Sequence, residues 1–141
     1  MMISTKGRYA VRIMLALCEA GNAGYVSLKS IAEEEGISEK YMESITSMLV
    51  KADFVEGIRG KNGGYRLKRS PDTLTLGSIL KATDGSLAPV SCLECKPNKC
   101  DRASGCKTLP VWEKLDTLIN DYLENITLAD VYNESMSQEN N

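Results

Sequence analysis

Five cysteines and no histidine occur in this chain of 141 residues, and four of the five lie between Cys92 and Cys106. Cys92, Cys95, Cys100 and Cys106 follow the spacing C-x2-C-x4-C-x5-C, with gaps short enough for one loop to wrap a single centre. Soft thiolates select zinc or iron–sulfur clusters, and spacing alone leaves the two open. Lys96, Lys99, Arg102 and Lys107 interleave with the cysteines; neighbouring cations favour the thiolate and offset a cluster's negative charge. In a reducing compartment such a group reads as metal ligands before it reads as disulfides. The absence of histidine removes the Ser-His-Asp and Cys-His triads and every His-ligated zinc or haem. No readable motif sets a general base beside a nucleophile, so an enzyme is not expected. Cys18, on the apolar face of the first helix, reads as a small core residue.

A second chemistry lies upstream. Residues 57–69 carry Arg59, Lys61, Arg66, Lys68 and Arg69 with no acid among them. The segment reads as two strands, Phe54 to Arg59 and Tyr65 to Lys68, around Gly60-Lys61-Asn62-Gly63-Gly64, whose Asn-Gly-Gly supplies the backbone angles of a hairpin tip. A phosphate-binding P-loop is a poor match, because it needs the longer G-x-x-x-x-G-K-[ST] element between strand and helix.

The elements that must position these residues are mostly helical. A first helix from about Thr5 to Ala20 is apolar at Val11, Ile13, Met14, Leu15, Leu17 and Cys18. Ser27 caps a short helix ended by Gly36, and Ser38 caps a third. In the third, Met42, Ile45, Met48 and Leu49 share one face. Two short helices joined at Gly36-Ile37-Ser38, followed by the hairpin, make a winged helix-turn-helix. Ser38, Lys40, Tyr41 and Glu43 stand in the first turns of the third helix, where a recognition helix meets base edges, and Glu43 suits a cytosine amine. Arg59, Gly60 and Lys61 of the wing suit phosphates or an adjacent minor groove. Thr75 caps a fourth helix, Pro110 starts a fifth, and Thr127 to Asp130 forms a capping-box start to a last short one. Along the fifth, Val111, Leu115, Leu118, Ile119, Tyr122 and Leu123 form a wide apolar stripe beside Trp112.

Composition sets the outer limits. With 43% hydrophobic and 26% charged residues, the chain supports one globular core. The formal charge of −2 gives no whole-molecule basic field. Residues 1–75 nevertheless hold eleven basic and nine acidic side chains, against six and ten in residues 76–141. The start lacks a secretory apolar stretch, and no run approaches the roughly 18 residues of a membrane span. A cytoplasmic protein without membrane contact is expected.

Ile3 to Val11, the helix start Ile37 to Glu43, the wing Ile58 to Tyr65, and the cysteine loop followed by Trp112 together resemble the bacterial winged-helix regulators that include IscR, NsrR and CymR. The resemblance runs from about residue 2 to 132. It implies a homodimeric transcription regulator, usually a repressor, binding a palindromic double-stranded DNA operator through a long dimerisation helix and two winged domains. It also implies an iron–sulfur cluster in the loop before that helix, [2Fe–2S] ahead of [4Fe–4S], with zinc as the alternative.

One departure is informative. IscR-like members use C-x5-C-x5-C with a histidine three residues after the last cysteine. Here Cys100 and Cys106 match the last two positions, Glu94 stands at the first, and Leu109 stands at the histidine position. NsrR-like members borrow a carboxylate from the partner's first helix, where this chain has Arg8. Set against the family, the available solution is four-cysteine ligation, with Cys92 joining Cys95, Cys100 and Cys106.

The expected organisation is a winged helix-turn-helix over 1–83, a cysteine loop over 84–109, a dimerisation helix and short terminal helix over 110–132, and a disordered tail over 133–141. The fold class is mainly α with a small β-hairpin. The expected function is cluster-gated operator binding that senses iron–sulfur status, redox state or nitric oxide, with two recognition helices meeting half-sites about 34 Å apart. Two alternatives stand beside it: a zinc- or thiol-based redox interaction module, and a CymR-like regulator of cysteine metabolism acting through a partner enzyme.

Overall fold

Side-chain oxygens start most of the helices. The structure, a computed structural model, describes residues 3–21, 24–94 and 103–139. Helix α1 (Thr5–Ala20) begins where the Ser4 hydroxyl accepts from the Gly7 N–H, α2 (Leu28–Glu35) where Ser27 accepts from Ser30, and α3 (Glu39–Lys51) where Ser38 accepts from Tyr41. Gly36, left-handed at φ 70°, closes α2 and turns the chain into α3, a conformation glycine adopts without a Cβ penalty. The helix-turn-helix is thus written in two serines and one glycine.

Strands β1 (Val55–Ile58) and β2 (Gly64–Leu67) pair antiparallel, Val55 opposite Leu67 and Ile58 opposite Gly64. Val26 adds one bridge to Tyr65 through two 2.8 Å backbone hydrogen bonds, so the chain before α2 is stitched to the hairpin. Thr75 caps α4 (Leu76–Asp84). Helix α5 (Leu109–Glu124) carries Pro110 in its first turn. Before α6 (Leu128–Glu139), Thr127 and Asp130 exchange side-chain-to-backbone bonds of 3.0 Å each, the reciprocal capping box. Helix α6 continues through residues 133–139, where a disordered tail was expected; the box fixes its first turn, and the sequence beyond holds no proline or glycine to stop it.

The core lies between α1, α2, α3, β1 and α4. Ala10, Ile13 and Met14 of α1, Met42, Ile45 and Leu49 of α3, and Ile79 of α4 are completely buried, each large side chain among them worth roughly 1.5–3 kcal/mol of apolar burial. Thr46 is the buried polar residue among those described, and its hydroxyl donates to the Met42 carbonyl at 2.8 Å. Met48, expected on the buried face of α3, is half-buried, as is Cys18. A smaller cluster of Leu80, Leu87 and Leu123 joins α4 to α5. No helix among the described residues is long and apolar enough to cross a membrane.

Candidate nucleic-acid interface and cysteine loop

Burying Met42, Ile45, Thr46 and Leu49 turns the opposite face of α3 outward. Ser38, Lys40, Glu43, Ser44 and Ser47 are exposed there, and Lys40 and Glu43 make no ion pair among the described residues. Tyr41 departs from the expectation of an outward residue: it is half-buried, its ring edge-to-face with Tyr9 at 6.1 Å between centroids. That contact anchors the first turn of α3 on α1. Ser44 and Ser47 extend the outward face by i+4 and i+7 from Lys40. The period that located the buried stripe puts Ser47 off it in the sequence reading and could have added Ser44.

The wing's basic run is divided by its partners. Arg66 pairs with Glu56 at 2.6 Å and lies over the Tyr25 ring at 4.7 Å. Lys68 and Arg69 both reach the Asp53 carboxylate, at 2.5 and 3.6 Å, and Arg69 also covers Phe54. Lys68 and then Arg69 hold the Asp53 carboxyl below its ordinary range. Asp53 itself stands at φ 67°, where the chain turns from α3 into β1. Arg59 and Lys61 are exposed and have no partner among the described residues, and Gly60, at φ 117°, sits between them. Of five cations in the run, these two are free to meet an external anion. Sequence reading singles out the same two for DNA, but not the reason the other three are occupied, because Asp53 and Glu56 lie outside the basic run.

The cysteine loop leaves α4 at a fixed point. Asp84, its last residue, accepts from the Ser4 N–H at 3.2 Å and from the Ser4 hydroxyl, so its carboxylate sits at the N-terminal end of α1, where the helix dipole favours a negative charge. The loop returns at Cys106, whose Sγ lies 3.4 Å from the Thr108 hydroxyl. Thr108 makes no side-chain cap bond to α5 and faces the sulfur instead. The Thr108 hydroxyl, then the backbone N–H groups of Thr108 and Leu109, lower the Cys106 thiol from its ordinary value, as expected for a thiolate at a helix start. Cys92, in a short 3-10 turn (Ser91–Leu93), is half-buried. Cys95 and Cys100 lie outside the described residues, as do Lys96, Lys99 and Arg102. By contrast, burial raises the Cys18 thiol, in keeping with a core role.

Helix α5 turns the expected stripe away from its own domain. Leu109 and Leu123 are buried, whereas Val111 (60%), Leu118 (58%) and Tyr122 (67%) are largely open, with Trp112 and Leu115 also exposed. Both ends of the helix and the half-buried Ile119 pack inward, Ile119 against the Leu80, Leu87 and Leu123 cluster; Val111, Trp112, Leu115, Leu118 and Tyr122 present an open apolar face.

Comparison with known proteins places this arrangement. Residues 3–134 match the Rrf2 family model, described as "Iron-dependent Transcriptional regulator". The chain belongs to the Rrf2 family of transcriptional regulators. A curated relative, the HTH-type transcriptional regulator IscR of Erwinia tasmaniensis, is 37% identical over 133 residues, covering 94% of this chain and 79% of that protein. Two solved structures are similar: CymR, titled the global cysteine regulator of B. subtilis, at TM-score 0.79 and 36% identity, covering 95% of this chain and 98% of that one, and T. potens IscR at TM-score 0.77 and 39% identity, covering 96% and 88%. The Rrf2 membership makes this chain a DNA-binding regulator of winged-helix type and not an enzyme.

Proposed function

We propose that this Rrf2-family regulator is a cytoplasmic homodimeric repressor whose binding to a palindromic operator depends on a thiolate-ligated iron–sulfur cluster. The observation that carries the reading is Cys106: a half-buried sulfur whose thiolate is favoured by the first turn of α5, the helix that bears the exposed apolar face. The donor chemistry fits a soft metal centre. Cys92 and Cys106 are half-buried thiols, and Cys95 and Cys100 complete a four-cysteine set in sequence; a [2Fe–2S] cluster is preferred and zinc is the alternative. Such a centre supplies ligation free energy that depends on thiolate availability and redox state.

The chain's own residues do the rest. The apolar face of α5, from Val111 to Tyr122, buries against its copy in a second subunit, an isologous contact. Two α3 helices then face successive major grooves, with Ser38, Lys40 and Glu43 at base edges and Tyr41 fixing the helix on α1. Arg59 and Lys61, with Gly60 allowing close approach, neutralise phosphates or enter the adjacent minor groove. Asp84, the end of α4 bonded to Ser4 at the start of α1, and Cys106, three residues before α5, anchor the two ends of the loop, so a change in the loop's span bears on both ends.

The test is the absorbance and the iron, sulfide and zinc content of anaerobically isolated protein, repeated with Cys92→Ala. Thiolate-to-iron absorbance lost in the variant supports four-cysteine ligation; a colourless protein with stoichiometric zinc overturns the iron–sulfur reading. Arg59→Ala should weaken operator binding and reduce its log–log salt slope by about 1.

A CymR-like mode of action, through a partner enzyme, is the second reading. Its support is the match over 98% of the B. subtilis CymR chain. Operator binding unchanged by metal removal favours it.

A further inference from the structure

Two large apolar side chains are exposed on the face assigned to DNA. Val50, on the last turn of α3, is 41% open, and Ile58, at the end of β1, is 50% open. They line one cleft of about 410 Å³, Val50 from α3 and Ile58 from β1, together with Ser47, Lys51, Arg59 and Tyr65. Gly57 also lines it, and an added Cβ there would lie 2.8 Å from the Tyr65 ring. No acid lines the cleft. Neither Lys51 nor Arg59 has a partner among the described residues, and no hydrogen bond engages the Ser47 hydroxyl there.

We infer that this cleft seats one sugar–phosphate strand of the operator, deoxyribose faces against Val50 and Ile58 and phosphates against Lys51, Arg59 and the Ser47 hydroxyl. The inference rests on the proposed engagement of DNA by α3 and the wing, and follows from its geometry. In B-DNA a single backbone strand separates the major groove from the adjacent minor groove. A protein with a helix in one and a hairpin in the other must straddle that strand, and the space between α3 and the wing is this cleft. Its chemistry matches the strand: cations at the rim for phosphate, apolar walls for the hydrophobic faces of the sugars.

The test uses the full chain and a duplex selected by the wild-type protein from a fragment pool. Hydroxyl radicals cut DNA at exposed deoxyribose, so protection reads the sugars directly. Wild type should protect a short run of sugars on one strand flanking each half-site. Val50→Ala/Ile58→Ala should lose that protection and bind about tenfold more weakly at an unchanged salt slope, because apolar contact releases no counterions. Lys51→Gln, a single change at an exposed position, should lower the slope by about 1. The proposal is overturned if the double variant binds and protects as wild type does, if it weakens binding while the flanking protection persists, or if Lys51→Gln leaves the slope intact. Absence of any selected duplex for wild-type protein would instead overturn the DNA-engagement reading itself.

Discussion

Gly7 and Asp84 define a junction whose energetics can be worked out. Gly7 is buried in the first turn of α1, and a Cβ added there would lie 2.8 and 3.2 Å from the Asp84 carboxylate oxygens and 3.2 Å from the Leu80 Cδ2. The Gly7→Ala substitution must therefore displace the carboxylate that accepts from both the N–H and the hydroxyl of Ser4. Each hydrogen bond to a charged group is worth about 1.5–3 kcal/mol, with the lower end applying to a half-buried carboxylate that water can reclaim. Against a loss of about 3 kcal/mol stands the gain of alanine over glycine in a helix, at most about 1 kcal/mol. Gly7→Ala should destabilise by about 2 kcal/mol, a fall of roughly 1 M in the urea midpoint. In an Asp84→Ala background the obstacle is gone. The same substitution should then be neutral or stabilising by up to about 1 kcal/mol, giving a coupling of about 2–3 kcal/mol in the double-mutant cycle. Urea unfolding of all four proteins at one protein concentration decides it. Equal destabilisation in both backgrounds would refute the reasoning and assign the close contact to Leu80.

Three further outcomes are expected. The Lys81 ammonium, 3.0 Å away, and the Thr75 hydroxyl lower the Glu124 carboxyl against a smaller opposing effect of burial; the stability this contributes is present above the unfolded carboxylate value near 4.3 and is lost as pH falls through the lower folded value. Glu124→Gln should therefore reduce stability at pH 7 by less than about 1 kcal/mol and flatten the acid limb of an unfolding titration, whereas an unchanged limb would exclude the carboxylate. Leu118→Glu, on the open face of α5, should shift sedimentation from dimer to monomer without unfolding the domain; a persisting dimer would place the interface elsewhere. Ser38→Ala should cost about 1 kcal/mol by removing the cap of α3, and Ser38→Asp should restore stability while weakening DNA binding through charge repulsion. DNA affinity that follows stability in both variants would reduce Ser38 to a cap.

Helix starts were legible because they rest on local rules: a serine or threonine oxygen placed three residues before an otherwise free N–H for α1, α2, α3, α4 and α6, and Pro110 in the first turn for α5. The turn at Gly36 and the hairpin tip are local in the same sense. What sequence could not yield were contacts made across the chain. Arg59 and Lys61 were singled out at the wing tip, but that Asp53 and Glu56 claim the other three cations of the run was visible only in the fold. Tyr41 follows Lys40 in the exposed first turn of α3, yet the edge of Tyr9, 32 residues earlier, draws it inward. Val50 fell outside the apolar stripe of α3, and nothing in its neighbours indicates that Ile58 would stand across a cleft from it. The α5 stripe was visible as a pattern, but its division between the inward Leu109, Ile119 and Leu123 and the open Val111, Leu115, Leu118 and Tyr122 depended on packing across the chain.

The two ends of the cysteine loop are held with different firmness, and that difference fixes where a change in the loop is felt. At its start, Asp84 is tied to α1 by two bonds to Ser4 in a half-buried setting, and α1 packs against α3 and β2. At its finish, the first part of α5 makes no hydrogen bond or ion pair to α4 among the described residues. Its last turns are held there by Ile119 and Leu123 on Leu80 and Leu87, by the Thr75–Glu124 bond and by the Lys81–Glu124 pair, whose side chains are 41% and 40% exposed. An exposed pair of this kind is worth about 0–1 kcal/mol. Under the proposed function, a change in the loop would therefore act on the placement of α5 before it acted on the α1–α3 body. In the proposed dimer built on the α5 face, the loop would then set the spacing of the two α3 helices.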